Sequence, residues 1–142
     1  MKCSEIMTKD PGCCEASTTV DRVAQMMASR DIGPVPIVDS MQNRKLLGIV
    51  TDRDLTLKVI AAGRDPKTTK VKDVMTAALV FCGQDENIEE ALRRMETHNV
   101  RRILVAGPDN TLLGIITVSD IVTRMKDPAK TNKLVAQLSC SR

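Results

Sequence analysis

The chain has 142 residues, 42% of them hydrophobic, and a net charge of +3 from 21 basic and 18 acidic side chains. This length makes one compact domain or two small ones, and the charge is too mild and too evenly spread to indicate nucleic acid as the main partner. No apolar run approaches the roughly 20 residues needed to cross a bilayer, and the N-terminus does not read as a secretory signal, so we expect a cytoplasmic protein without membrane contact.

One sequence pattern occurs twice in the chain. A shift of 68 residues superimposes the Met-Thr pairs at 7–8 and 75–76, and a shift of 66 superimposes GIVTDRD at 48–54 on GIITVSD at 114–120. The smaller second shift indicates two extra residues in the first copy's turn, where loops accept insertions.

These matches predict four segments in chain order. They are a first repeat at 1–63, a polar linker at 64–70, a second repeat at 71–126 and a tail at 127–142, whose apolar residues recur at a spacing compatible with a short helix. A single repeat of this size buries too little apolar surface to be comfortably stable. We therefore expect the two repeats to pack around an approximate two-fold axis.

Each repeat reads as strand, helix, strand, strand, helix. In the first copy the successive elements are GCCEA, a helix from Val20 capped by Thr18 or Thr19, VPIVD, LLGIVT, and a helix that Gly63 ends. In the second copy they are LVFCG, a helix from Ile88 capped by Asn87, RILVAG, LLGIIT, and SDIVTRM. The apolar residues follow helical spacing in the helices, and polar turns separate the β-rich runs. The predicted fold class is α/β, of the α+β type.

This pattern resembles the cystathionine-β-synthase (CBS) domain, and two copies resemble a CBS pair, or Bateman module, over residues 3 to 126. The resemblance rests on the duplicated Gly-hydrophobic-x-Thr-x-x-Asp motif, on IMT at 6–8 and VMT at 74–76, and on IGPVPIVD at 32–39. It implies a stand-alone regulatory module that binds AMP, ADP, ATP or S-adenosylmethionine in clefts between the repeats. It also implies a homodimer and an unidentified protein target.

The duplicated motif suits such a ligand. Thr51 and Thr117 end a strand and begin a helix, where backbone N–H groups and the helix dipole favour phosphate. Asp54 and Asp120, one turn later, can accept hydrogen bonds from two neighbouring ribose hydroxyls. Thr-x-x-Asp is equally an ordinary capping box, and both roles can hold together.

The resemblance adds further candidate residues at the start of each hairpin and inside each motif. They are Gly33, Pro34 and Arg53 in the first repeat, and Arg101, Arg102 and Ser119 in the second. Planar guanidinium groups clamp phosphate well, so we expect the Asp120 site to prefer phosphorylated nucleotides more strongly than the Asp54 site. Other cations that could reach a phosphate across the cleft are Lys58, Arg64 and Lys126.

No convincing set of base, nucleophile or metal ligands occurs, so we expect no enzyme, no metal site and no obligatory cofactor. Two other interpretations stay open. One is a ligand-free dimerisation or protein-interaction adaptor in which both motifs only cap helices. The other is a thiol switch that pairs Cys14 with Cys13 or with Cys82, although adjacent cysteines would form a strained ring.

Overall fold

The computed structural model describes residues 1–77, 80–125, 127–129, 132 and 136. Most of the tail at 127–142, for which a short helix is compatible with the sequence, lies outside these residues, as do Lys126 and Cys140. The helices and strands, in chain order, are α1 (Cys3–Ile6), β1 (Thr8–Lys9), β2 (Cys14–Glu15), α2 (Val20–Arg30), β3 (Val35–Val38), β4 (Leu46–Val50), α3 (Asp52–Leu55), β5 (Phe81–Gly83), α4 (Ile88–His98), β6 (Arg102–Ala106), β7 (Leu112–Thr117) and α5 (Val118–Arg124). Helix α3 continues as a π-helix, Thr56–Ile60, and short 3₁₀ turns occupy Val71–Asp73 and Pro108–Asn110.

The predicted order of elements is confirmed in both repeats. The first runs β2-α2-β3-β4-α3 and the second β5-α4-β6-β7-α5. The hairpin loop spans residues 39–45 in the first repeat and 107–111 in the second, so the two extra residues lie in the first turn, where the shift in the repeat places them. None of the helices in the described part of the chain is long and apolar enough to cross a bilayer.

Two compact units are present. The first unit lies within residues 12–79, and the second combines residues 1–11 with the chain from residue 80 onwards. In the first unit the strand order is β2-β3-β4, with β2 parallel and β4 antiparallel to the central β3. In the second unit the order is β1-β7-β6-β5, with β5 parallel to β6.

Each unit buries one face of a long helix against its sheet. Val20, Val23 and Met27 of α2 join a core with residues of β3 and β4, while Ile88, Ala91 and Met95 of α4 do the same against β6 and β7. These apolar positions recur at three- or four-residue spacing, which places them on one side of a helix. The amphipathic pattern read from the sequence therefore builds two separate cores.

The caps of these helices differ between the units. The side chain of Asn87 accepts from the N–H of Glu89 at 3.0 Å, as the sequence predicts. Thr19 occupies the corresponding position before α2, but its hydroxyl contacts Asp21 Oδ1 at 2.5 Å and makes no cap. The first N–H groups of α2 are instead satisfied by backbone carbonyls of Pro66 and Thr69.

The opening of each repeat, residues 1–11 in the first and 71–77 in the second, belongs to the compact unit that holds the rest of the other repeat. We call these two segments the exchanged openings. Strand β1 pairs antiparallel with β7, in the second repeat, and Thr76 exchanges two backbone hydrogen bonds with Ile49 of β4, in the first repeat. A glycine makes each approach feasible: a Cβ on Gly48 would lie 2.8 Å from the Thr76 carbonyl oxygen, and one on Gly114 would lie 2.9 Å from that of Thr8. The repeats defined by sequence therefore differ at their ends from the compact units.

Candidate functional site

The first corner, residues 51–54, is the point where β4 ends and α3 begins. The N–H of Thr51 donates to Asp54 Oδ2 at 3.0 Å, and the Thr51 hydroxyl lies 3.2 Å from the same oxygen. The N–H of Asp54 donates in return to Thr51 Oγ1 at 3.2 Å. This reciprocal capping box fixes the orientation of the carboxylate, whose side chain is 18% exposed.

The second corner, residues 117–120, repeats this geometry where β7 meets α5. The N–H of Thr117 donates to Asp120 Oδ2 at 2.9 Å, and its hydroxyl lies 3.0 Å from that oxygen. The N–H of Asp120 donates to Thr117 Oγ1 at 3.2 Å. The capping interpretation of the motif is thus correct at both corners, and in each one the cap occupies a single carboxylate oxygen, Oδ2.

The residues at the start of each hairpin lie beside the corner of the same unit. A Cβ on Gly33 would lie 3.1 Å from Asp52 Oδ1, and Val35, directly after Pro34, is registered opposite Val50. In the second unit Arg102 is registered opposite Thr117, and the carbonyl of Arg101 accepts from the N–H of Val118 at 3.2 Å. The structure therefore groups the candidate residues named from the sequence around their own corners. Arg53 and Ser119, inside the motifs, are both exposed.

The other carboxylate oxygen, Oδ1, has a different neighbour at each corner. Asp54 Oδ1 lies 3.2 Å from the ammonium of Lys58, one turn further along the helix. Asp120 Oδ1 faces the hydroxyl of Thr8 at 3.5 Å, the outer limit of a hydrogen bond. Among the residues that the structure describes, no basic side chain forms an ion pair with Asp120.

A basic residue also anchors the exchanged opening in each unit. Lys58 Nζ donates to the Val74 carbonyl at 3.0 Å, and Arg124 Nη1 donates to the carbonyls of Ile6 at 2.6 Å and Met7 at 3.0 Å. Lys58 and Arg124 are matched by the shift of 66 residues. Sequence reasoning names Lys58 only as a candidate cation and misses Arg124 and Thr8, although this match is a signal that could have found Arg124.

The described cysteines do not pair as the thiol-switch interpretation requires. The Cys14 thiol donates to the sulfur of Met26 at 3.4 Å, whereas Cys82 donates to the sulfur of Cys3 at 3.3 Å. Donation of this hydrogen bond, together with burial, raises the pKa of Cys82, and burial raises the pKa of Cys13 and Cys14. These thiols are therefore poorer nucleophiles than free cysteine near neutral pH.

Hydrogen-bond acceptance is the chemistry that the two corners offer. Each corner presents an oriented carboxylate that accepts hydrogen bonds, and within the described ranges no group of three or more His, Cys, Asp or Glu side chains could hold a metal ion. The carboxylate oxygen outside each cap can accept further hydrogen bonds.

Comparison with known proteins identifies relatives of the whole pattern. The CBS domain family matches residues 3–60 and again residues 71–127. Hypoxic response protein 1 of Mycobacterium tuberculosis is 34% identical over 88% of this chain and 85% of its own length, and its crystal structure with two coordinated zinc ions superimposes with a TM-score of 0.78.

Two further similarities differ in how much of the relative is covered. The inosine-5'-monophosphate dehydrogenase of Methanocaldococcus jannaschii is 36% identical over 98% of this chain, but the chain spans only 27% of that enzyme. The crystal structure of CBSX2 in complex with AMP is 26% identical, covers 86% of this chain and 93% of its own, and gives a TM-score of 0.72.

Proposed function

This chain belongs to the CBS domain family, and from that premise we propose that it is a non-catalytic regulatory module that binds adenosine-containing ligands at its two corners. The observation that carries the proposal is the pair of carboxylates, Asp54 and Asp120, each held by a capping box with Oδ1 left outside the cap. The similarity to CBSX2, whose structure contains AMP, supports an adenine nucleotide as the ligand class.

The roles of the corner residues follow from their chemistry. Asp54 and Asp120 accept hydrogen bonds from ribose hydroxyls, while the arginine pair, Arg101–Arg102, supplies cations for phosphate at the second corner. Gly33–Pro34 contributes backbone and apolar surface at the first. No covalent chemistry is required of any of these groups, so the ligand remains unchanged.

Signalling would occur by linkage. A ligand that binds one conformation of the module better than another shifts the population toward it and stabilises the fold by mass action. Each unit exposes apolar side chains on its last helix, Leu57 and Ile60 in the first and Val122 in the second, against which a second copy of the chain could pack. We therefore propose a homodimer as the form that a protein target binds.

A thermal-shift screen with AMP, ADP, ATP, S-adenosylmethionine and NAD tests the proposal. A ligand present at about 100 times its dissociation constant should stabilise the protein by roughly 2.7 kcal/mol. Calorimetry on Asp54→Asn and Asp120→Asn then assigns the sites, since an amide keeps one oxygen for the cap but replaces the other by an NH₂ group that cannot accept. Asp109→Asn, in the exposed turn Pro108–Asn110, is the matched control and should bind as the unaltered chain does.

The complete capping boxes also favour a second candidate function, a ligand-free adaptor in which the corners serve only as helix caps. In that case no adenosine compound would shift the unfolding temperature, while light scattering would still detect a dimer.

A further inference from the structure

Lys58 is the residue that distinguishes the two corners most clearly. Its ammonium lies 3.2 Å from Asp54 Oδ1, the carboxylate oxygen that the capping box leaves outside. At the second corner the matching residue, Arg124, donates to the carbonyls of Ile6 and Met7, and the contact of Asp120 Oδ1 among the described residues is the long one with Thr8. Within the described part of the chain, the same motif thus has one Oδ1 oxygen paired with a cation and one without such a pair.

The backbone around Lys58 differs from that at the second corner. Lys58 lies in the π-helix Thr56–Ile60, in which the N–H of Ala61 donates to the carbonyl of Thr56 at 2.8 Å. A π-turn widens the helix and is common near functional residues. In the second repeat the matching residues Val122–Arg124 form the last turn of the α-helix α5, which ends at Arg124, so the difference between the corners extends to the backbone.

We propose that Lys58 is a built-in competitor of the ligand at the first corner. Two neighbouring ribose hydroxyls can both donate to Asp54 Oδ1 only if the ammonium moves away, because Oδ2 already accepts from the N–H and the hydroxyl of Thr51 and one of the two lone pairs of Oδ1 is directed at Lys58. The first corner therefore binds an adenosine compound more weakly than its motif alone would, and Lys58 sets this difference. The inference rests on the proposed function.

The surroundings allow the displacement. Lys58 lines a groove of about 380 Å³ together with Arg64, Asp73, Val74 and the apolar Leu57 and Ala62. The ammonium also donates to the Val74 carbonyl at 3.0 Å, and Asp73 provides another carboxylate in the same groove. Because the Lys58 side chain is 44% exposed, its pairing with Asp54 is of the weak, partly solvated kind, which a ligand can replace.

Calorimetric titration with adenosine tests the proposal, since adenosine has the ribose hydroxyls but no phosphate to attract a lysine. In Asp120→Asn only the first corner keeps its carboxylate for the ligand. Adding Lys58→Met to this variant should raise the adenosine affinity of the first corner roughly two- to fivefold, the range expected for removal of a solvated ion pair. Lys58→Arg, which keeps the charge, should give no gain. The gain should shrink in about 0.5 M salt, where such a pair is screened.

The matched control uses the second corner. Asp54→Asn leaves only that corner, and adding Arg124→Met removes a carbonyl anchor without releasing a carboxylate oxygen, so adenosine affinity should not rise. An equal gain from Lys58→Met and Arg124→Met would overturn the proposal, because the effect would then come from loosening the anchored opening.

Two other results separate failure of this inference from failure of the proposed function. If the unaltered chain binds AMP but Lys58→Met leaves the adenosine affinity of the first corner unchanged, Lys58 does not compete with the ligand. If Lys58→Met in addition lowers the AMP affinity, Lys58 is a phosphate ligand and not a competitor. If no variant binds adenosine or AMP, the nucleotide-binding function itself is wrong and the competition fails with it.

Discussion

The close approach of Gly48 to the exchanged opening can be tested by a single added methyl group. In Gly48→Ala the new Cβ would lie 2.7 Å from Met75 Sδ and 2.8 Å from the Thr76 carbonyl oxygen. The flexible thioether can move aside at little cost, but the carbonyl belongs to a backbone held by two hydrogen bonds with Ile49, at 2.9 and 3.1 Å. The perturbation therefore acts on the strand pairing itself.

The steric clash can be accommodated in two ways that cost similar amounts of folding free energy. Accepting the overpacking costs about 1–3 kcal/mol, while separating Thr76 from Ile49 loses two hydrogen bonds at about 1 kcal/mol each. Alanine also lowers the conformational entropy of the unfolded chain, which stabilises the folded state by about 0.4–1 kcal/mol. We expect Gly48→Ala to lower the free energy of unfolding by about 1–2 kcal/mol net, and Gly114→Ala to behave alike.

Urea unfolding followed by far-ultraviolet circular dichroism measures this effect, because the chain has no Trp or Tyr to report by fluorescence. Gly83→Ala is the matched control: it lies in a strand, and its added Cβ would be 3.6 Å from the nearest atom, in the Glu86 side chain, which is an ordinary contact. It should leave stability unchanged or slightly raised. A Gly48→Ala protein that unfolds at the same urea concentration as Gly83→Ala would refute the steric role of this glycine.

Three further predictions concern the caps, the ligand and the thiols. Thr117→Ala should lower the unfolding free energy by about 1 kcal/mol whereas Thr117→Ser should lose little, because serine keeps the oxygen that caps the helix; equal urea midpoints for the two would contradict this. The affinity ratio of AMP to adenosine, measured by calorimetry, should be larger in Asp54→Asn, which retains the corner beside the arginine pair, than in Asp120→Asn, and equal ratios would remove the arginines from phosphate binding. Alkylation of the thiols, followed by mass spectrometry, should become faster as the pH rises toward and above the ordinary pKa of a thiol, because burial raises the pKa of Cys14 and leaves less thiolate at neutral pH. The fully buried Cys82 should react later than Cys14, and the reverse order would contradict the described packing.

The repeat architecture could be read from the sequence because its signals are local. Helical spacing of apolar residues predicts α2 and α4, turn residues bound the hairpins, and the change of shift from 68 to 66 predicts the longer loop at 39–45. The capping residue Asn87 was likewise readable from its place before the helix. Thr19 shows the limit of such signals, since the carbonyls that replace its cap come from residues 66 and 69, distant in sequence.

The exchange of openings could not be derived from these patterns. Strand β1 has two residues and the pairing of Thr76 is an isolated bridge, so neither is long enough to show the alternation by which strands are recognised. A weaker signal was present in Gly48 and Gly114, since a glycine inside an apolar strand often marks the close approach of another backbone. That signal indicates an approach but not which segment makes it.

The motif predicts the capping geometry of the two corners but not the neighbours of their carboxylates. Their capping distances differ by at most 0.2 Å (3.2 against 3.0 Å), so the motif specifies the position and orientation of each carboxylate well. Their Oδ1 neighbours, Lys58 in one and Thr8 in the other, come from outside the motif and from different elements. A ligand at these corners would compete with those neighbours, so the relative affinity of the corners would depend on residues that the motif does not contain. Substitution of Lys58 should therefore change this balance more than exchange of the exposed motif residues Arg53 and Ser119.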